Sequence, residues 1–136
     1  MLIAEADGPV TYSPSGCFVV AGVWNDPYTG LTFTHPTDVD IDHLVPLANA
    51  HHSGGWQWTT EQKRAYANDV VNAETLIAVD DGTNSSKGDQ SPDQWMPPNA
   101  TYWCMYAIEW VNVKATWDLT VTSAERTTLN SVLSGC

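Results

Sequence analysis

The ten residues Asp38-Val39-Asp40-Ile41-Asp42-His43-Leu44-Val45-Pro46-Leu47 constrain this chain more than any other stretch. Side chains alternate between the two faces of a strand, so Val39 and Ile41 are expected to enter a core while Asp38, Asp40 and Asp42 line the opposite face. Carboxylates packed so closely repel and raise one another's pKa, which calls for a positive partner among them. The plain alternative is a solvated edge strand that happens to end in a histidine.

The 136 residues fit one domain, 1–136, with a modest core. No apolar run approaches the roughly 20 residues that span a bilayer, and no membrane association is expected. Met1 to Glu5 lack a basic segment and a long apolar stretch, so no signal peptide is visible and a mature or trimmed form is expected. Sixteen acids, eleven of them Asp, against five bases give a net charge of −11. That balance normally argues against a nucleic-acid partner and is equally compatible with high salt, an extracellular setting, divalent cations or a cationic partner. Cysteines stand at 17, 104 and 136. A Cys104–Cys136 bridge would tie the C-terminus to the body and imply an oxidising compartment; three free thiols are the alternative.

Residues 17 to 24 read as a strand, followed by turn chemistry at Asn25-Asp26-Pro27-Tyr28-Thr29-Gly30 and a short partner at Leu31-Thr32-Phe33-Thr34, making an N-terminal hairpin. After Pro46 comes a polar segment, His51 to Gly55. Thr59 with Gln62 is a capping-box pair, predicting a helix from Thr60 to about Val70 that Asn72 breaks. Leu76-Ile77-Ala78-Val79 is the expected partner of the Asp-rich strand. Asn99 is placed to cap a long helix whose Tyr102, Tyr106, Trp110, Val113 and Trp117 form one buried stripe. A second capping box, Thr122 with Glu125, opens a last helix that buries Leu129, Val132 and Leu133 and stops at Gly135.

The order of strand, loop with helix, strand and short helix over about 38–90 resembles the ββα-metal core of HNH (His-Me finger) endonucleases. Asp42-His43-Leu44-Val45-Pro46-Leu47, Asn72, and Asn84-Ser85-Ser86-Lys87-Gly88-Asp89 carry the likeness. The chain from Trp24 to Cys136 is more closely similar to a small secreted HNH nuclease family related to the nuclease domain of GmrSD-type restriction enzymes. The words Asp26-Pro27-Tyr28-Thr29-Gly30, Ala67-Asn68-Asp69, Ser86-Lys87-Gly88-Asp89, Pro92-Asp93-Gln94-Trp95 and Leu119 to Glu125 occur in the family's order. The resemblance implies an α+β fold, with an N-terminal hairpin, the ββα-metal core and C-terminal helical support over 99–136. It also implies secretion, a monomer, and a metal-dependent endonuclease acting on DNA, with RNA as the other possibility, that leaves a 5′-phosphate. Asp42 and Asn84 would hold one Mg²⁺ or Mn²⁺, and His43 would serve as general base with Asn72 orienting it. The family usually has an aromatic where His51 stands, so His51 and His52 are open between ligand, phosphate contact and no role. Members of the family often pair the cysteine at position 17 with one farther upstream, which would lie before residue 1, so within these residues Cys17 is expected to be free.

The residue chemistry points the same way. Phosphodiester hydrolysis needs a nucleophile from water, compensation for charge on phosphorus and a stabilised leaving oxygen. A neutral His43 can take the proton from water, and the hard oxygens of Asp42 and Asn84 suit Mg²⁺ or Mn²⁺. Lys87 is placed either to grip a phosphate oxygen or to stand as a solvated helix lysine, and Asp40 either supports the ligands from behind or has no role. The carboxylates around His43 are expected to favour its protonated form. His35, before Pro36, has no evident partner, and Asp89 reads as a cap or ion-pair residue. A calcium loop starting at Asp38 would need Gly and Glu where His43 and Asn49 stand, which excludes it. The rival from another class is an extracellular aromatic-rich binding module. Seven tryptophans include Trp56 and Trp58 in a loop, although Trp103, Trp110 and Trp117 are accounted for by helix packing.

Overall fold

The computed structural model describes residues 1–136. In chain order it runs β1 (Thr11–Tyr12), β2 (Val19–Ala21), β3 (Trp24–Asn25), β4 (Thr32–Phe33), β5 (Val39–His43), α1 (Leu47–His52), α2 (Thr60–Ala67), β6 (Leu76–Asp80), α3 (Asp81–Lys87), α4 (Trp103–Thr116) and α5 (Ser123–Ser134). The strands form three antiparallel pairs, β1 with β2, β3 with β4 and β5 with β6. This is the expected α+β layout: hairpins first, a ββα unit of β5, β6 and α3 in the middle, and helices at the C-terminal end.

The strand expected over 17–24 is two strands. Val19–Ala21 pairs with Thr11–Tyr12, whereas Trp24–Asn25 pairs with Thr32–Phe33. The break falls at Gly22, where a Cβ would lie 2.6 Å from the Trp24 ring. That indole is fully buried, donates to the Leu2 carbonyl at 2.9 Å, and anchors a small core with Val39 and Ala78. The following turn is fixed by the buried Asp26 carboxylate, which accepts from the backbone N–H groups of Tyr28 and Thr29 and from the Thr29 hydroxyl.

The central hairpin has a register running from Val39↔Asp80 to His43↔Leu76. Between its strands, α2 starts at Thr60 with both halves of the Thr59–Gln62 capping box in place, but ends at Ala67, with Asn68 as its C-cap. Asp69 takes over at once as the centre of a turn, which is why the helix does not reach Val70. The six-residue α1 was read from sequence only as a polar stretch. Ala50 is its one buried residue, too little apolar periodicity to announce a helix.

Three helix-stripe residues, Tyr106, Trp110 and Val113, form the centre of the main core with Tyr28, Leu44, Val45, Tyr66, Val79 and Leu129. Trp103 is the exception to the expected helix packing, being 39% exposed and tethered through its indole N–H to the Pro97 carbonyl. Lys114 from α4 and Glu125 from the second capping box make a buried ion pair at 2.9 Å, and Asn49 of α1 donates to the same carboxylate. Cys104 and Cys136 are disulfide-bonded, closing the start of α4 onto the end of α5, while Cys17 is free and exposed. By the chain-entropy argument such a loop contributes about 3 to 4 kcal/mol. No helix is long and apolar enough to cross a membrane.

Candidate functional site

The two faces of β5 do different work. Asp40 and Asp42 face α3, which crosses the hairpin so that Asn84 meets Asp40 and Lys87 meets Asp42. The Asn84 amide donates to Asp40 Oδ2 at 3.2 Å, and the Lys87 ammonium donates to Asp42 Oδ2 at 2.5 Å. The buried Tyr28 hydroxyl donates to the same Asp42 oxygen at 2.6 Å. Asp42 is therefore 7% exposed rather than part of a solvated carboxylate row. Lys87 is the cation the Asp-rich strand called for, but it is wholly buried and its second hydrogen bond goes to the His43 carbonyl at 2.9 Å. An ammonium in that position cannot grip a phosphate; it positions Asp42. Burial lowers the Lys87 pKa, against the pull of Asp42 in the other direction. Farther out, repulsion from Asp40 holds the exposed Asp81 carboxyl above its usual range.

His43 leaves the strand on the opposite side, toward α2. Its Nε2 lies 3.1 Å from the Ala67 carbonyl, and its ring stacks on Tyr66 with centroids 5.7 Å apart. A carbonyl only accepts, so Nε2 carries the proton and Nδ1 carries the lone pair in the neutral ring. Nδ1 has no hydrogen-bond partner and is not enclosed. Burial lowers the His43 pKa, outweighing the Ala67 carbonyl and Asp42, which raise it. Asp42 does favour the protonated ring, as expected, but burial outweighs it.

Asn72 does not touch His43. Its side chain donates to Asp69 Oδ2 at 2.8 Å, and its backbone N–H donates to Asp69 Oδ1. Thr75 and the Trp117 indole also donate to Asp69 Oδ2. The Asn72 carbonyl accepts from Thr75 N–H, and the Thr75 carbonyl accepts from Leu44 N–H, so Asn72 belongs to the turn that leads into β6 and pairs next to His43. Sequence reasoning missed Tyr28, Tyr66, the Ala67 carbonyl and Asp69. Tyr28, Ala67 and Asp69 have one sequence signal, membership in the ordered words Asp26 to Gly30 and Ala67 to Asp69; Tyr66 lies outside both.

No three His, Cys, Asp or Glu side chains converge into a cation cage. The donor chemistry still fits a hard cation. Asp42 Oδ1 and Asn84 Oδ1 accept no hydrogen bond and neither is enclosed, so each strand and helix offers one open oxygen. An ion held by so few protein oxygens keeps most of its water, which is the habit of Mg²⁺.

The family model for GmrSD restriction endonucleases, C-terminal domain, matches residues 7–132. The chain belongs to this family. The GmrSD C-terminal domain family is nuclease-associated, which relates the chain to nucleic-acid cleavage at the level of the family. A relative from Arthroderma benhamiae, described as an uncharacterized secreted protein, is 47% identical over 134 residues, or 98% of this chain. The chain spans 65% of that relative's length. The expected secreted location agrees with this relative and with the disulfide. No solved structure matches the chain.

Proposed function

We propose that this GmrSD C-terminal domain protein is a metal-dependent endonuclease that hydrolyses phosphodiester bonds of DNA, with RNA as the other substrate class, and shows little sequence specificity. The observation that carries the reading is the His43 ring: one nitrogen is committed to the Ala67 carbonyl, and the other is open, neutral and partnerless. Such a nitrogen takes a proton from water as the water attacks phosphorus, a role worth about 10²- to 10⁴-fold in rate. Tyr66 and the Ala67 carbonyl fix the ring and its tautomer.

Asp42 and Asn84 would hold one Mg²⁺ or Mn²⁺, which when bound supplies charge compensation on the phosphate and the leaving oxygen. Lys87 and Tyr28 orient the Asp42 carboxylate through Oδ2 and leave Oδ1 available. Lys87 also ties Asp42 to the His43 backbone, so base and ligand share one rigid support.

The test is incubation of supercoiled plasmid with the protein and Mg²⁺, with and without EDTA. Nicked and linear products that vanish with EDTA are expected. The binding-module alternative has Trp56, 61% exposed, in its favour. An intact plasmid together with saturable sugar binding would replace the nuclease by that module.

A further inference from the structure

Beside His43 lies a cleft of about 260 Å³ between α1 and α2. Leu47, Trp58, Tyr66 and Ala67 line it, and His51 and Lys63 stand at its polar edge. Tyr66 and Ala67 are the same two residues that touch the His43 ring. The cleft thus shares two of its lining residues with the surroundings of the proposed catalytic histidine, which does not itself line it. Trp58 and Tyr66 pack against each other with centroids 5.3 Å apart, giving the cleft an aromatic wall.

The distribution of charge marks the same place. Of the five basic residues, Lys87 and Lys114 are buried in ion pairs. The exposed ones are Lys63, Arg64 and Arg126, and the first two are neighbours on α2. His51 and His52, both exposed, add to that side. On a chain of net charge −11, one of the three exposed cations, Lys63, therefore stands at the cleft that shares Tyr66 and Ala67 with the His43 site, and Arg64 is its neighbour in sequence.

We infer that this cleft is a subsite for one unpaired nucleobase of the substrate, stacked against Trp58, which the buried Tyr66 ring backs, with an adjacent phosphate on Lys63 and His51. The inference rests on the nuclease reading and adds the substrate class: single-stranded or locally unpaired nucleic acid. The cleft is smaller than the roughly 300–1,000 Å³ of drug-sized sites, so it admits a single flat ring system and excludes a duplex. A paired base has both faces covered by its neighbours and cannot enter. An unpaired base gains about 1 to 3 kcal/mol by stacking on an aromatic side chain, and the lysine adds a salt-dependent phosphate contact.

The test measures binding by fluorescence anisotropy in EDTA, where cleavage is suppressed, using a short labelled single strand and the duplex of the same sequence. Wild type is expected to bind the single strand more tightly. Trp58→Leu and Lys63→Glu each weaken single-strand binding roughly tenfold. Arg126→Glu, the same charge change on α5 outside the cleft, stays within about twofold of wild type. The exposed Lys63 side chain makes no hydrogen bond or ion pair, so its variant folds normally even if Trp58→Leu does not. Equal affinity for both strands, no binding at all, or equal losses from Lys63→Glu and Arg126→Glu would overturn the subsite. His43→Ala separates the two proposals. Cleavage lost with cleft variants binding normally leaves the nuclease without this subsite, whereas cleft-dependent binding by a protein that never cuts leaves the subsite without the nuclease.

Discussion

Lys87 is the residue whose role differs most from its sequence context. A lysine late in a short helix after Asn84 reads as a solvent-side cation, yet its ammonium is sealed between Asp42, Tyr28 and the His43 carbonyl. Removing one member of a buried pair leaves the other charge uncompensated, which costs about 3 to 5 kcal/mol. Lys87→Met is therefore expected to lower the thermal unfolding temperature markedly and to free the Asp42 carboxylate. Differential scanning calorimetry checks this, and an unchanged midpoint would mean that the pair is not formed. His43 shows the complementary case: burial outweighs nearby carboxylates, so the imidazole is neutral at neutral pH. No spacing rule in the sequence could reveal which term prevails, because that depends on how deeply α2 covers the ring.

At the scale of elements, the turn between α2 and β6 is organised by Asp69. Burial pushes its carboxyl up, but hydrogen bonds from Asn72, Thr75 and Val71 together hold it below its ordinary value. A depressed carboxyl contributes stability that is complete above the unfolded value, near 3.9, and is lost as pH falls through the folded one. Asp69→Asn is expected to cost about 1 to 3 kcal/mol at neutral pH, and the gap to wild type should close as pH drops below about 4. Urea unfolding at several pH values reads this; a gap independent of pH would remove the carboxylate from the account. Much of the element order was legible beforehand. Both capping boxes, the β5–β6 pairing and the helix stripe through Tyr106, Trp110 and Val113 are local patterns with local causes. What was not legible is long-range. Gly22 splits a strand because the Trp24 ring folds back on it, and Asn72 bonds Asp69 rather than His43 because the chain turns between them. The ordered words were informative for the same reason. Asp26 to Gly30 delivers Tyr28 to Asp42, Ala67 to Asp69 delivers a carbonyl and a clamp, and Pro92 to Trp95 sets Trp95 against Tyr28 at 5.2 Å.

For the whole molecule, charge and substrate are in tension. A chain of net charge −11 repels nucleic acid at long range, while Lys63 at the proposed subsite would attract a phosphate at short range. Salt screens the first effect over about 10 Å at 0.1 M and weakens only a few contacts in the second. Cleavage rates are thus expected to hold or rise from low to moderate salt, as initial rates across a KCl series would show. A steep, monotonic fall would indicate a broad basic interface that this surface lacks.

All three scales meet in the open nitrogen of His43. The direct measurement is the cleavage rate of one DNA substrate by wild type and by His43→Ala at equal Mg²⁺, with matching unfolding temperatures confirming that both are folded. The expected result is a loss of about 10²- to 10⁴-fold in the variant. Equal rates would take this histidine out of the chemistry and the proposed mechanism with it.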